Sequence, residues 1–334
     1  MAALLWGVGY IEVPPVLGTG LLVLAGLIVA LFCLWTRRWV AIAVGAACVA
    51  AIGVFVVDVL VLERNVLLVG SRAEWGQPRP AALRLLDFNV LHGYPHFPDQ
   101  EARAQRTIAR LATLDLDVII LQEAWRTRQH GDFVAQLGDA LGMDSAFARA
   151  NGNLERIGFE EGEAILSRFP ILQAIRIQLE PRKPFFERRV ALIGVLDLGE
   201  GETLAVLGTH LDHRDLDTAN AQAAHLAGRI ASLPVGLVAG DLNAPSGSRA
   251  TDVFERLGFA DIVPGGIDHV LVSKASPWKV ETARWVLQPS GAALGQALSD
   301  HPGILVNLAR SEPLSLDELA NSAASNASYA AAQR

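Results

Sequence analysis

The sequence has almost no cysteine. Of its 334 residues only Cys33 and Cys48 carry a thiol, and both lie in apolar stretches near the N-terminus. Residues 63–334 therefore contain no thiol at all. This excludes a disulfide framework, a cysteine-ligated zinc site and a cysteine nucleophile from that part of the chain. The absence is compatible with an oxidising compartment but does not require one.

Charge is missing from one end of the chain. Residues 1–62 hold only four charged side chains: Glu12, Arg37, Arg38 and Asp58. A helix needs ~20 apolar residues to cross a bilayer, so we predict a membrane anchor with two transmembrane helices, about 16–35 and 39–62. A buried core helix and a cleaved signal peptide are the alternatives. A signal peptide carries positive charge ahead of its apolar run, whereas here the arginines follow it.

The two arginines also predict which side of the membrane each part occupies. Arg37 and Arg38 lie in the short turn between the two predicted spans. Short loops rich in Lys and Arg stay in the cytoplasm, so residue 63 onward should emerge outside. Arg64 and Arg72 follow the second span and oppose this orientation. We expect a multi-pass cell-membrane protein with two spans and an extracytoplasmic catalytic domain.

A basic excess is absent as well. The net charge is −7, and all of it belongs to residues 63–334, which hold 26 basic and 33 acidic residues. Proteins that bind nucleic acid tightly usually carry a basic stripe. The one basic concentration here is Arg182-Lys183 with Arg188-Arg189. A nucleic-acid partner is therefore disfavoured but not excluded.

The remaining sequence predicts an α/β domain. Residues 63–82 are polar and contain Gly and Pro, which predicts a tether. From 83 to 310, ten short β-rich runs are mixed with four amphipathic helices, a pattern typical of two packed sheets flanked by helices. The Ala- and Ser-rich residues 311–334 lack apolar periodicity and are predicted to be a disordered tail.

Polar side chains stand at the ends of several predicted strands. The stretches are Asp87-Phe88-Asn89, Gln122-Glu123, Thr209-His210, Gly240-Asp241-Leu242-Asn243, Asp268-His269 and Ser299-Asp300-His301. Each alone has an ordinary structural explanation, such as a turn cap for Asp241 and Asn243. Together their order and spacing resemble the endonuclease/exonuclease/phosphatase superfamily, which includes deoxyribonuclease-I-like nucleases, sphingomyelinases and inositol-phosphate phosphatases. The resemblance covers about residues 83–309 and implies a four-layered α/β sandwich of two mixed sheets.

The residue types suit phosphoester hydrolysis. This reaction needs a divalent cation, an activated water and donors for the phosphoryl oxygens. Hard cations prefer carboxylate and amide oxygens, so we expect Mg²⁺, with Mn²⁺ as the alternative. By the resemblance, the metal ligands are Asn89, Glu123 and Asp300. It likewise implies that Asp241 orients or deprotonates the water and Asn243 holds a phosphoryl oxygen.

The resemblance implies two histidine roles as well. His301 contacts the phosphate or acts as the base, with Asp268 fixing its tautomer, and His210 donates to the phosphate or the leaving group. The chain departs from the nuclease pattern at Leu91, where an Asp is common, so a second metal is in doubt. Asp87 could be structural, and Arg189 could reach the phosphate or be a surface charge. Nothing distinguishes His92, His96 and His213 from loop histidines.

Three functions remain open at this point. The first is hydrolysis of a lipid-linked phosphodiester or pyrophosphate outside the cytoplasm, and the layout resembles membrane members found with bacterial glycopeptide resistance. The second is an extracytoplasmic endo- or exonuclease, which the acidic charge opposes. The third is a non-catalytic binding module. The complete set of polar residues opposes the third, because a pseudoenzyme usually loses a metal carboxylate.

Overall fold

The structure is a computed structural model. It describes residues 24, 26–31, 38–60, 66–69, 73, 79–93, 99–182, 188–289 and 297–311. Most of the first predicted span and nearly all of the predicted tail, 311–334, lie outside the described residues.

The N-terminal part is helical where it is described. Helix α1, Arg38–Leu60, covers the second predicted span, and residues 26–31 are helical too. The two helical stretches approach closely at Gly26, where an added Cβ would lie 2.6 Å from Cys48 Sγ. Side chains of α1 are described only for residues 42–54, and among residues described in this way no helix is long and apolar enough to cross a membrane. The two membrane spans stay a prediction.

Two mixed sheets form the folded domain. The first sheet has the order β1-β5-β6-β3-β2-β14-β13, with β4 paired to β3. Its strands are β1 Leu67–Val69, β2 Ala82–Asn89, β3 Val118–Thr127, β4 Gly131–Asp132, β5 Asp144–Asn153, β6 Phe159–Ser167, β13 Trp278–Val286 and β14 Gly303–Arg310. The second sheet has the order β11-β12-β10-β9-β8-β7. Its strands are β7 Ile171–Gln178, β8 Val190–Gly199, β9 Glu202–His210, β10 Val235–Asp241, β11 Phe259–Asp261 and β12 Asp268–Ser273.

The apolar residues divide the domain into four layers, as the sequence predicts. Successive residues of a strand point to opposite faces. Leu85 accordingly joins the cluster between the two sheets, while Leu86 joins the cluster on the outer face of the first sheet. A third cluster covers the outer face of the second sheet. The helices that complete the outer layers are α2 Gln100–Ala112 and α3 Phe133–Leu141 on the first sheet, and α5 Leu216–Ile230 and α6 Arg249–Arg256 on the second. A short helix α4, Leu154–Ile157, links β5 to β6.

The predicted tether needs one correction. Residues 67–69, inside the predicted 63–82 segment, pair antiparallel with β5 as β1, with Leu67 opposite Phe147. The apolar run Val66–Val69 supplies this edge strand, although the segment is polar on average. Helix α1 ends at Leu60, so only six residues, 61–66, separate it from the sheet. Residues 67–69 of the predicted tether are thus part of the first sheet.

Candidate active site

The strand order brings the polar motifs to one edge of the sandwich. Strands β2 and β3 are parallel neighbours, as are β9 and β10, so Asn89, His210 and Asp241 come at the carboxyl ends of their strands. Glu123 lies within β3, directly after the last residue that pairs with β2, Gln122. Strands β12 and β14 run antiparallel to β10 and β2. Residues at their beginnings therefore reach the same edge, and Asp268 is registered directly against Asp241.

Asp241 is the centre of this edge. Its side chain is almost fully buried, yet its Oδ2 has three neighbours: Asn89 Nδ2 at 3.2 Å, His210 Nε2 at 3.3 Å and His301 Nε2 at 3.7 Å. Gly240 makes this packing possible, because an added Cβ there would lie 1.9 Å from the carbonyl oxygen of Thr209. Burial and the nearby Asp268 carboxylate raise the pKa of Asp241 to about 7. A carboxyl group with that pKa can exchange a proton near neutral pH.

Glu123 occupies an irregular point in β3. The register against β6 shifts between Leu121 and Ala124, and Glu123 has a left-handed φ of 55°. The irregularity aims its carboxylate at the edge, where it accepts from the backbone N–H of His92 at 3.1 Å and from Asn89 Nδ2 at 3.4 Å. Burial raises the pKa of Glu123, but His92, Arg189 and these hydrogen bonds outweigh it and hold the pKa below its ordinary value. Glu123 is thus an anion ready to bind a cation.

Asn89 links the carboxylates of Glu123 and Asp241 through its side-chain nitrogen. Its Nδ2 faces both Glu123 and Asp241, and its Oδ1 accepts from the backbone N–H of Leu91 at 3.0 Å. An amide nitrogen is not a metal ligand, so the predicted ligand role of Asn89 needs the opposite orientation of its side-chain amide. Leu91, the departure from the nuclease pattern, supplies this backbone contact.

His301 and Asp268 form the predicted pair. His301 Nδ1 lies 3.0 Å from both carboxylate oxygens of Asp268, which fixes the ring and turns Nε2 toward Asp241. Burial lowers the pKa of His301, but its hydrogen bond to Asp268 and the charges of Asp268, Asp241 and Asp300 raise it to about 9. His301 is therefore an imidazolium at neutral pH, suited to contact an anion.

His210 and Asn243 also lie beside Asp241. Burial, together with Arg189 and the other histidines, holds the pKa of His210 well below its ordinary value, so its ring is neutral. Asn243 has a left-handed φ of 49° and donates its backbone N–H to Asp241 Oδ1 at 2.9 Å. Its Nδ2 donates to the carbonyl oxygen of Leu211 at 3.0 Å. The predicted contact of Asn243 with a phosphoryl oxygen stays a prediction.

These side chains enclose a polar cavity of about 290 Å³. Its lining consists of His92, Glu123, Glu161, Arg189, His210, His213, Asp241, Asn243 and His301. Arg189 is buried, and its Nη2 lies 3.0 Å from His213 Nδ1. The alternative of a surface charge is therefore wrong for Arg189. Sequence reasoning did not separate His92 and His213 from loop histidines and missed Glu161, because only the fold carries these residues to the edge.

Three of the predicted site residues, Asn89, Asp268 and Asp300, lie outside the cavity lining, and so does Asp87. Asp300 is exposed and lines a neighbouring groove, while the adjacent Ser299 Oγ donates to the carbonyl oxygen of Asn89 at 2.6 Å. The role of Asp300 as a metal ligand stays a prediction. Asp87 is buried and accepts from Gln122 Nε2 at 2.8 Å, so it is placed as a structural residue.

The donor set fits a hard divalent cation. Glu123 provides a carboxylate held below its ordinary pKa, and carboxylate oxygens are the ligands that Mg²⁺ prefers. Among the described residues, Asp241, Asp268 and His301 also place one ligand atom each within 4.8 Å of one another. In this trio His301 Nδ1 and Asp268 are already joined by hydrogen bonds, and the metal-ligand role of Glu123 stays a prediction.

Comparison with known proteins gives a consistent result. The family model described as "Endonuclease/Exonuclease/phosphatase family" matches residues 88–301. Comparison with curated protein sequences finds no match.

Three similar solved structures share the fold at low sequence identity. An endonuclease/exonuclease/phosphatase from Beutenbergia cavernae is 19% identical, with a TM-score of 0.53 over 70% of this chain and 72% of that one. The human Nocturnin catalytic domain with bound sulfate is 18% identical, with a TM-score of 0.57 over 74% and 98%. D. rerio TDP2 complexed with a single-strand DNA product is 18% identical, with a TM-score of 0.53 over 69% and 99%.

Proposed function

Because the chain belongs to the Endonuclease/Exonuclease/phosphatase family, whose members are phosphoester hydrolases, we propose that it is a phosphoester hydrolase dependent on Mg²⁺ or Mn²⁺. One observation carries the proposal. The buried Asp241 carboxylate faces His210 and His301 inside a polar cavity that also contains Glu123. Such an arrangement provides a base, anion donors and a cation ligand around one small volume.

Each side chain has a distinct task in this proposal. Asp241, with a pKa of about 7, accepts the proton of the attacking water. His301, held protonated by Asp268, stabilises the charge that builds on the phosphoryl oxygens. Arg189 adds a second positive charge inside the cavity. Glu123 would hold the cation, with Asn89 and Asp300 as the further predicted ligands, and a bound cation supplies charge neutralisation at phosphorus.

A direct assay tests the proposed reaction. The full chain in phospholipid nanodiscs would be given bis(p-nitrophenyl) phosphate with MgCl₂, with MnCl₂ or with EDTA. We expect hydrolysis with either metal and at least ~100-fold less with EDTA, since metal stabilisation of charge provides several kcal/mol. Activity that persists in EDTA, or that survives in Asp241→Asn, would contradict the proposal.

We also propose a location and a substrate class. Helix α1 is 23 residues long and exposes large apolar side chains, with Ile42 58%, Val49 70% and Val54 65% accessible. Six residues join it to β1, and such a link extends at most ~22 Å. Burying α1 in a bilayer would therefore hold the catalytic domain close to lipid head groups. We therefore propose a membrane-anchored enzyme that cleaves a lipid-linked phosphodiester or pyrophosphate, and Arg37 and Arg38 between the predicted spans favour a domain outside the cytoplasm.

An extracytoplasmic nuclease is the second candidate. It shares the chemistry, and the similar TDP2 structure carries a single-strand DNA product. The net charge of −7 opposes it. Parallel assays with a phospholipid, a prenyl diphosphate and DNA separate the two candidates by which substrate is turned over fastest. Binding without turnover of all three, in the presence of Mg²⁺, would favour the non-catalytic binding module.

A further inference from the structure

A second hollow opens beside the catalytic cavity, and we name it the lateral groove. It has a volume of about 470 Å³ and is lined by Gly265, Gly266, Ile267, Asp268, Trp285, Gln288, Asp300, His301 and Pro302. Asp268 and His301 belong to both the groove lining and the proposed catalytic set. Under the proposed function, a phosphoester held at His301 would therefore direct one of its substituents into the groove.

The groove has an apolar wall. Trp285 on β13 is partly buried, Ile267 is 38% exposed and Pro302 is partly exposed. Gly266 allows the Trp285 ring to lie against the backbone of this segment, because a Cβ at position 266 would lie 2.9 Å from Trp285 Cη2. The carbonyl oxygen of Ile267 accepts the backbone N–H of Leu242 at 2.8 Å. This bond fixes Ile267 relative to Asp241, so the wall has a defined position beside the reaction centre.

The charges of the groove select against an anionic occupant. Among the described residues its ionisable lining consists of Asp268, Asp300 and His301, and no Lys or Arg is part of that described lining. Asp300 is exposed at the groove. A nucleic-acid strand would bring a further phosphate toward this carboxylate, and like charges in proximity are unfavourable. An uncharged hydrocarbon substituent meets no such repulsion and gains apolar contact with Trp285 and Ile267.

These observations lead to one assignment. We propose that the lateral groove binds the hydrocarbon chain of a long-chain alkyl phosphoester and that Trp285 and Ile267 determine the preference for it. The assignment rests on the proposed function and names the substrate class of that site. The exposed apolar side chains of α1 in the same chain agree with a substrate drawn from a lipid surface.

Three substrates with one leaving group test the assignment. They are the methyl, hexyl and thymidine 5′-esters of p-nitrophenyl phosphate, given with Mg²⁺ to the full chain in nanodiscs. We expect kcat/KM at least ~10-fold higher for the hexyl ester than for the methyl ester, because apolar contact with Trp285 and Ile267 adds binding energy. Trp285→Ala should remove most of this preference by raising KM for the hexyl ester, so that the ratio of hexyl to methyl kcat/KM falls toward one.

Two further variants separate the groove from general damage. Ile267→Ala should reduce the hexyl preference by a smaller factor, and it tests the groove even if Trp285→Ala does not fold. Val280→Ala, an exposed residue of β13 outside the groove lining, should change nothing. A thymidine ester preferred by the wild type and lost in Trp285→Ala would overturn the assignment, as would an equal hexyl-to-methyl ratio in all proteins.

Binding is measured separately from turnover. Titration of hexyl phosphate by calorimetry should give an affinity at least ~10-fold weaker in Trp285→Ala than in the wild type, with Val280→Ala as the control. If no ester is hydrolysed but this difference is present, the proposed reaction fails and the groove assignment stands. If the affinities are equal, the groove assignment fails whatever the activity.

Discussion

Asn89 and Asp241 lie 152 residues apart in the sequence and on different sheets, yet Asn89 Nδ2 donates to Asp241 Oδ2 at 3.2 Å. The same nitrogen lies 3.4 Å from Glu123 Oε1. The amide thus separates two carboxylates that would otherwise repel each other in a buried space. This contact also fixes the first sheet, which carries the proposed metal ligand Glu123, against the second sheet, which carries the proposed base.

The first prediction concerns the charge at Glu123. Glu123→Gln keeps the shape of the side chain but removes its negative charge. We expect at least ~100-fold lower Mg²⁺-dependent turnover with little change in thermal unfolding. Glu101→Gln makes the same chemical change at an exposed acid of α2 and should keep full activity. Turnover of Glu123→Gln near that of the wild type would refute the ligand assignment.

The second prediction concerns the His301–Asp268 pair. Asp268→Asn should lower kcat by ~10–100-fold, the scale found for groups that orient a functional histidine. His301→Ala should lower it further. Because the two residues act together, the double variant should be close to His301→Ala alone. Multiplicative losses in the double variant would mean that the residues act independently.

The third prediction is a pH profile. Activity needs Asp241 ionised and His301 protonated, so kcat/KM should rise as pH passes about 7 and fall as pH passes about 9. These limits describe the coupled groups together. Asp268→Asn removes the main support of the His301 charge and should move the alkaline limb to lower pH. A stationary limb in this variant would contradict the role of Asp268.

The fourth prediction concerns stability. His269 is fully buried with both ring nitrogens facing acceptors, Asp261 Oδ2 at 2.9 Å and the carbonyl oxygen of Ala244 at 2.8 Å. Burial lowers the pKa of His269, but these hydrogen bonds and the Asp261 charge raise it overall above 6.5. Burial similarly raises the pKa of Asp261, while its bonds to His269 and Ser246 lower it overall below 3.8.

The signs of these two shifts define a pH window. The raised pKa of His269 stabilises the fold fully below pH 6.5, and this contribution is lost as pH rises through the folded-state pKa. The lowered pKa of Asp261 stabilises the folded state above pH 3.8, and this contribution is lost as the pH falls through the folded-state pKa. The temperature of thermal unfolding should therefore fall as the pH rises above neutral. His269→Gln should make the unfolding temperature less dependent on pH in this range. The partly exposed His225→Gln should not alter it.

The fifth prediction concerns the side of the membrane. Arg37 and Arg38 between the proposed spans favour an extracytoplasmic domain, whereas Arg64 and Arg72 oppose it. Alkaline phosphatase fused after Arg310 should be active in cells. Green fluorescent protein at the same junction should stay dark. The reverse pattern would place the site in the cytoplasm and favour a nucleotide phosphatase or nuclease.

The sequence predicts the strands whose apolar residues follow the period of a sheet. The apolar periodicity predicts strands at 83–90, 188–198 and 235–240, and β2, β8 and β10 lie within two residues of these bounds. Strand β5, Asp144–Asn153, is missed because its DSAFARANGN sequence has few β-branched or aromatic residues. It forms because β1 and β6 pair on its two sides and bury it. The strand conformation of this segment is therefore determined by tertiary contacts, which the local sequence does not reveal.

The site is predictable to a similar degree and for a similar reason. Asp241, Asp268 and His301 are identified because they stand at strand ends in a recognisable order. Glu161 gives no such signal, since it lies within β6 between Glu160 and Gly162. The orientation of Asn89 is also beyond the sequence, because it depends on whether the amide meets a carboxylate or a backbone N–H. The sequence therefore shows which residue types are present. The orientation of their side chains relative to one another is decided only when the strands have assembled at the edge of the sandwich.

The left-handed backbone at Glu123 and Asn243 has an evolutionary consequence. Non-glycine residues with this conformation cost about 1–3 kcal/mol each, and glycine adopts it freely. Selection for heat resistance alone would therefore favour Glu123→Gly and Asn243→Gly, which relieve the backbone while emptying the reaction centre. At these two positions thermal stability and catalytic turnover therefore oppose each other. A protein lineage that no longer needed the reaction could gain stability by substituting these residues and losing activity.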